Sequence, residues 1–285
     1  MRGVSEQTRR IVDTALHLWR TVYQPNSIIP TVRSLFYRLA VLEIVDKSER
    51  GYDQVQRTLA RARERGEYPW EAIYDGLREL SRPQTWATLD DFLGVVRNAY
   101  ARDKWQTQPR RVEAWLEKQT LQGTVQSVID EFEVPLLVDR GYLSVTAKKD
   151  AMLRVRAQPR TIIYIGDHDP SGVNMLEEAE TWIREMAGRG IDLSIDRIAI
   201  TDEDQANKDL PHLPVNPRDS RTPDYVRRFS EEVVEVEALP PEELQKRLRD
   251  ALKRHRDPKK WDKARVIEAA DRERLNALLD AEDVE

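Results

Sequence analysis

One segment limits what this chain can fold into more than any other. The strand-forming run Thr161-Ile162-Ile163-Tyr164-Ile165 passes directly into Gly166-Asp167-His168-Asp169-Pro170-Ser171-Gly172. A run this apolar and β-branched has no polar face to offer water, so it is a strand covered on both sides. A helical pattern follows from Gly172 to about Met186. The same alternation continues on either side. Strands are expected at Val112–Leu116, Val134–Val138 and Leu193–Ile200, with helices at Leu121–Phe132 and Val145–Arg156. Strands alternating with helices imply an α/β fold with a mostly parallel sheet and helices on both faces.

Ligand sites in open α/β sheets lie beyond the carboxyl ends of the strands, which is where the acidic segment falls. Asp167 and Asp169 are two apart, so in extended chain their carboxylates point the same way. Like charges this close are costly unless a cation neutralises them, and hard oxygen ligands suit Mg²⁺. Ser171 is placed to cap the following helix. The bland alternative is an Asp-rich turn, since Asp, Pro, Ser and Gly all favour turns. The apolar strand ahead of it argues for a ligand site instead. Bare Asp-x-Asp also serves nucleotide-sugar transferases, so it does not name the chemistry. Glu117, in Glu117-Lys118, ends the Val112–Leu116 strand, where a neighbouring strand would bring it to the same edge. No Gly-x-x-x-x-Gly-Lys-Ser/Thr occurs, so the chain has no P-loop ATP site.

Charge divides the chain. Residues 1–111 carry 19 Lys/Arg against 14 Asp/Glu, whereas residues 112–285 carry 27 against 37. Two units are expected, 1–104 and 110–285, joined at the polar, proline-ended Lys104-Trp105-Gln106-Thr107-Gln108-Pro109. The first reads as helices: Ser5 to about Val22, a second opened by Pro30, and a third from about Tyr52 to Arg65. Gly66 to Ile73 is short and aromatic and suits a small β-wing, so the unit is expected to be a winged helix. On the third helix Arg57, Arg61 and Arg65 form one stripe, a solvated face or a surface for DNA phosphates. On the second, Tyr37 lies one turn after Arg33. A phenol with its ordinary pKa near 10 needs a cation or base beside it to act as a nucleophile, and Arg33 is placed to be that cation.

Composition narrows the classes. Zero cysteines exclude disulfides, thiolate nucleophiles and Cys-based metal sites, and four scattered histidines exclude a His-rich cage. There is no long apolar run to span a membrane, and MRGVSEQTRR lacks the apolar core of a secretory signal. With charged residues at 34%, a cytoplasmic protein is expected.

Taken together, these motifs resemble the A subunit of topoisomerase VI and the related meiotic double-strand-break transesterase. The resemblance is carried by Arg33-Ser34-Leu35-Phe36-Tyr37, Glu117-Lys118 and Asp167-His168-Asp169-Pro170-Ser171-Gly172. Two further stretches, Ile198-Ala199-Ile200-Thr201 and Val234 to Pro240, extend it in the family's order over about residues 28–245. A family Gly-Lys-Gly-Tyr-Pro-Asp is reduced here to Asp139-Arg140-Gly141-Tyr142-Leu143-Ser144, with Arg140 the stand-in for a phosphate-contacting lysine. The short chain is closest to the compact bacterial and phage-borne "mini-A" relatives.

The resemblance implies an N-terminal winged-helix unit followed by a Toprim domain. It implies a nucleoid-associated, type IIB topoisomerase-like enzyme of the isomerase class that breaks double-stranded DNA through a 5′-phosphotyrosyl link. The expected parts are Tyr37 as nucleophile assisted by Arg33, Mg²⁺ held by Glu117, Asp167 and Asp169, and DNA contacts from Arg57, Arg61, Arg65, Lys118 and Arg140. A homodimer is implied, with an ATPase partner subunit left open. The rivals are a hydrolytic Toprim nuclease that uses water in place of Tyr37, and a non-catalytic DNA-binding protein.

Overall fold

The computed structural model describes residues 5–74, 85–139 and 141–282. The N-terminal helices begin where the chain supplies caps. Ser5 starts α1 (Glu6–Leu18), Thr31 starts α2 (Val32–Val41) and Ser48 starts α3 (Glu49–Glu64), each hydroxyl accepting from a backbone N–H in the first turn. Pro30 therefore precedes the cap of α2 and does not open the helix. Ile11, Ala15, Leu35, Leu39, Val55 and Leu59 meet in one core.

The expected wing does not form at Gly66–Ile73. Trp70–Ala72 is a single 3₁₀ turn, and Tyr68 and Ala72 are buried in the helical core. Burying those side chains folds the segment back on the helices, where an extended ribbon would expose them. Among the described residues this unit contains no strand. A further helix, α4 (Leu89–Ala99), opens with a capping box between Thr88 and Asp91.

The expected linker is also different. Lys104–Thr107 forms a 3₁₀ turn in which Lys104 and Trp105 are buried. Lys104 lies 2.5 Å from both Glu133 and Glu268, and Trp105 packs edge-on against Trp261. The polar sequence reads as a linker because its lysine is polar, but that lysine is neutralised inside. Trp105 belongs to the core of the second unit, so the break between cores falls between Ile73 and Trp105.

From there the chain alternates as expected: β1 (Arg111–Leu116), α5 (Gln122–Phe132), β2 (Leu136–Val138), α6 (Val145–Ala157), β3 (Arg160–Ile165), α7 (Pro170–Ala187) and β4 (Leu193–Ala199). The four strands are parallel, in the order β2-β1-β3-β4. A short helix α8 (Asp202–Ala206) leads into β5 (Leu213–Pro214), α9 (Thr222–Arg228) and β6 (Glu232–Val233), where β5 and β6 pair antiparallel. Two long helices follow, α10 (Pro241–Arg254) and α11 (Pro258–Glu282). Alternate residues of β1 and β3 go to opposite layers. Ala114, Leu116, Ile163 and Ile165 pack with residues of α5 and α10, whereas Trp115, Ile162 and Tyr164 pack with residues of α6 and α7. That two-sided burial is why β3 is apolar throughout. Among the described residues no helix is long and apolar enough to cross a membrane.

Candidate active site

The site is built from the carboxyl ends of β1 and β3. The Glu117 N–H donates to the Ile165 carbonyl at 2.9 Å, extending the parallel ladder by one residue and laying Glu117 against the following turn. Two glycines make room for it. A Cβ on Gly166 would fall 2.3 Å from Glu117 Oε2, and one on Gly172 would fall 3.0 Å from it and 2.6 Å from the Asp167 carbonyl oxygen. The glycines at both ends of Gly-Asp-His-Asp-Pro-Ser-Gly thus cradle a carboxylate from another strand. Glu117 Oε2 accepts from the Asp167 N–H (2.9 Å) and the Tyr164 hydroxyl (3.1 Å). Burial, reinforced by the Asp169 charge, pushes the Glu117 carboxyl above its ordinary pKa.

The two aspartates of the turn are spent differently. Asp167 is buried, with Oδ1 accepting from the Val236 N–H at 2.8 Å and Oδ2 lying 2.7 Å from the Lys118 ammonium. Lys118 in turn reaches Glu237 Oε2 at 2.6 Å, and the Thr120 hydroxyl donates to the other oxygen of Glu237. Burial pushes the Asp167 pKa up to about 7. Lys118 opposes the rise, while Glu237 and Glu117 add to it. Lys118 is held charged, well above its ordinary value, by Glu237, Asp167 and Glu235 against its burial.

Asp169 instead caps α7, accepting from the Gly172 N–H at 2.6 Å with Pro170 in the first turn. This corrects the assignment of the cap to Ser171, whose hydroxyl donates to Asp219 at 3.3 Å. Asp is as good a cap as Ser, and the helix begins two residues earlier than the sequence pattern suggests. Among the described residues no three carboxylate or imidazole side chains converge on one point.

The backbone of the turn is fixed by groups not singled out in the sequence. Arg197 donates to the carbonyls of Asp167 (3.1 Å) and Ile200 (3.0 Å). His168 is buried, bonded through its ring to Tyr225 and Asp202 and through its N–H to the Val234 carbonyl.

The helical unit brings Tyr37 to this edge. The Ile29 N–H donates to the Gly123 carbonyl, and a Cβ on Gly123 would stand 2.2 Å from the Ile29 carbonyl oxygen, so the two units meet backbone to backbone. Tyr37, half-buried on α2, then lies beside Arg33 of its own helix and beside Glu235 and Glu237. Its side chain lines a cavity of about 210 Å³ together with Lys47, Pro211, Leu213, Glu235 and Glu237. Burial and the two glutamates raise the phenol's pKa, and Arg33, which lowers it, does not prevail. Tyr37 thus shares a cavity with Glu237, which Lys118 links to Asp167, bringing together residues far apart in sequence.

Glu235 and Glu237 are the acids that sequence reasoning did not place. The alternation in Val234-Glu235-Val236-Glu237 was their signal, since both valines are buried. Arg57 and Arg61 lie exposed on α3 and Arg65 lies exposed at its C-cap. Arg57 donates to the Asp53 carbonyl, and Arg65 is taken up in a two-pronged pair with Glu67 at 2.8 and 2.7 Å. Arg140 lies outside the described residues. No protein-family model matches the chain, and no curated protein matches it in sequence.

Proposed function

We propose that the protein is a DNA transesterase that cleaves the duplex through Tyr37, as the resemblance to the A subunit of topoisomerase VI and the meiotic transesterase implies. The observation that supports this reading most is the approach of Tyr37, with Arg33 at its side, to the acidic carboxyl edge of a parallel sheet. The phenol oxygen forms a bond to a backbone phosphorus as the bond to the 3′ oxygen breaks, leaving a 5′-phosphotyrosyl link and a 3′-hydroxyl. Glu235, beside the phenol, is placed to take its proton. Lys118 and Arg33 supply cations for the phosphate oxygens.

Two carboxylates of this edge, Glu117 and Asp169, are of the hard-oxygen kind that suits a divalent cation. Burial, and after it the Asp169 charge, holds the Glu117 carboxyl above its ordinary pKa, a cost that Mg²⁺ would relieve. Glu117 and Asp169 would hold the ion, and Asp167 would join them only by shifting from Lys118. Bound there, the metal would supply charge stabilisation for the phosphate.

Incubating the protein with supercoiled plasmid and Mg²⁺, then denaturing with and without protease, tests the reading. DNA that migrates with protein until protease is added is the expected outcome. Cut DNA bearing no protein would instead favour the hydrolytic nuclease, a second reading that the raised pKa of Tyr37 supports. Double-stranded DNA and a second copy of the chain are the proposed partners.

A further inference from the structure

The acidic total of the second unit conceals its opposite. Residues 246–265 hold 10 Lys/Arg against 3 Asp/Glu. They form the end of α10, the corner at His255–Asp257 and the start of α11. Several are already engaged: Arg247 with Asp204 and Glu243, Arg249 with Glu131, and Arg254 with Asp196. Among the described residues Lys253, Lys259, Lys260, Lys263 and Arg265 make no such pair, and all five are exposed. Asp250, Asp257 and Asp262 offset them only in part, and Asp257 also accepts from the Lys259 and Lys260 N–H groups as the cap of α11.

The helices do not account for this charge. Lys253 and Arg254 close α10, where cations suit the negative end of the helix dipole. Lys259 and Lys260 open α11, where they oppose the positive end, and the Asp257 cap is the acid nearest to them in that turn. Cations kept where they cost the helix stability call for a ligand of opposite charge. Beside them lies a cavity of about 480 Å³ whose lining includes Arg256, Arg265, Arg272 and Trp261 as well as Glu131 and Glu268, the latter paired with Lys104. The Arg256 guanidinium sits over the Trp261 ring at 5.3 Å, an arrangement that holds its N–H groups in a fixed plane.

We infer that this corner is a second nucleic-acid surface that grips the sugar-phosphate backbone of duplex DNA. Spread lysines with an adjoining planar guanidinium match a row of phosphates. A membrane surface fits less well, because α11 does not gather its apolar residues on one face beside the lysines. Fourteen residues of α10 separate the corner from the acidic edge, roughly 20 Å at the helical rise. The surface is thus distinct from the acidic edge, and it is carried by other helices than the α3 arginines. The inference takes DNA as the ligand from the proposed function, but it does not depend on the transesterase chemistry.

The test measures the affinity of the full chain for a fluorescent duplex across a salt series, for wild type and for the fourfold variant Lys253→Gln, Lys259→Gln, Lys260→Gln, Lys263→Gln. Each lost phosphate contact should lower the slope of log K against log salt by about 0.9, up to roughly 3.6 for four. An unchanged melting temperature should show that the variant is folded, since all four side chains are exposed. Unchanged affinity and slope would overturn the inference, as would loss of binding only to vesicles of phosphatidylserine and phosphatidylcholine. Tyr37→Phe, run alongside, separates the two claims. If the fourfold variant loses slope but no covalent adduct ever forms, the surface stands and the transesterase reading falls. If adduct forms and the slope is intact, the reverse holds.

Discussion

The two ends of the parallel sheet handle buried negative charge in opposite ways. Toward the amino end, Glu113 of β1 is only 2% exposed, yet it is fully answered. Arg154 and Arg160 donate to it at 2.9 and 2.8 Å, and the Trp115 indole N–H takes its other oxygen at 2.9 Å. At the carboxyl end, Lys118 alone stands between Asp167 and Glu237, with Glu235, Glu117 and Asp169 close by. The first end is a balanced structural cluster. The second carries more acid than the protein's own cations neutralise, an expense in stability that makes sense where a cation or a phosphate-bound metal is to be received.

Glu113→Ala is expected to have the largest effect on stability, about 3 kcal/mol, because it strands the buried Arg160 guanidinium of β3, while the more exposed Arg154 of α6 can turn to water. Asp167→Asn, which removes a charge from the crowded end, should cost far less or stabilise. Chemical denaturation of both variants checks this, and equal losses would erase the distinction between the two ends.

Mg²⁺ comes next. At a hundredfold excess over its dissociation constant it should stabilise the protein by about 2.7 kcal/mol, and the gain should vanish in Glu117→Gln. A melting temperature indifferent to Mg²⁺ would mean that the carboxyl end does not take the cation.

The pH dependence has an unusual sign. Folding raises the Asp167 pKa from 3.8 to about 7, so the fold favours the protonated acid. The contribution of this residue is full below the unfolded value and is lost as pH rises through about 7, at a slope of at most about 1.4 kcal/mol per pH unit. Asp167→Asn should remove that part of the stability–pH curve between pH 4 and 7. If the curve is unchanged, Asp167 is ionised throughout and Lys118 dominates.

The smallest effect concerns α3. Because Arg65 is engaged by Glu67, Arg57→Gln with Arg61→Gln should lower the salt slope of DNA binding by about 1.8, with Arg65→Gln adding little. An unchanged slope in the double variant would mean that α3 does not face DNA.

The alternation of β1 to β4 with their helices was legible because burial on both faces leaves an unmistakable apolar run. The helical unit was legible through its periodicity, though Pro30 looks like the start of α2, and the wing was misread because a short aromatic segment looks like a strand when Tyr68 is in fact core. At the site, Tyr37, Glu117 and the Asp-x-Asp turn could be picked out as residue types at strand ends and on one helix face. What they do to one another could not. The commitment of Asp167 to Lys118 depends on Glu237, seventy residues on, and sequence spacing carries no information about such a pairing. The role of Asp169 as helix cap was hidden for a simpler reason: Ser171 is an equally good cap two positions later.

The central claim is that Tyr37 becomes joined to DNA at the acidic edge. Wild type and Tyr37→Phe should be compared in the plasmid assay with Mg²⁺, and the trapped wild-type adduct digested and its DNA-bearing peptide mapped by mass. The expected result is an adduct on the peptide containing Tyr37, absent from Tyr37→Phe although that variant binds DNA as tightly. A full yield of adduct from Tyr37→Phe, or an adduct mapped to another residue, would contradict it.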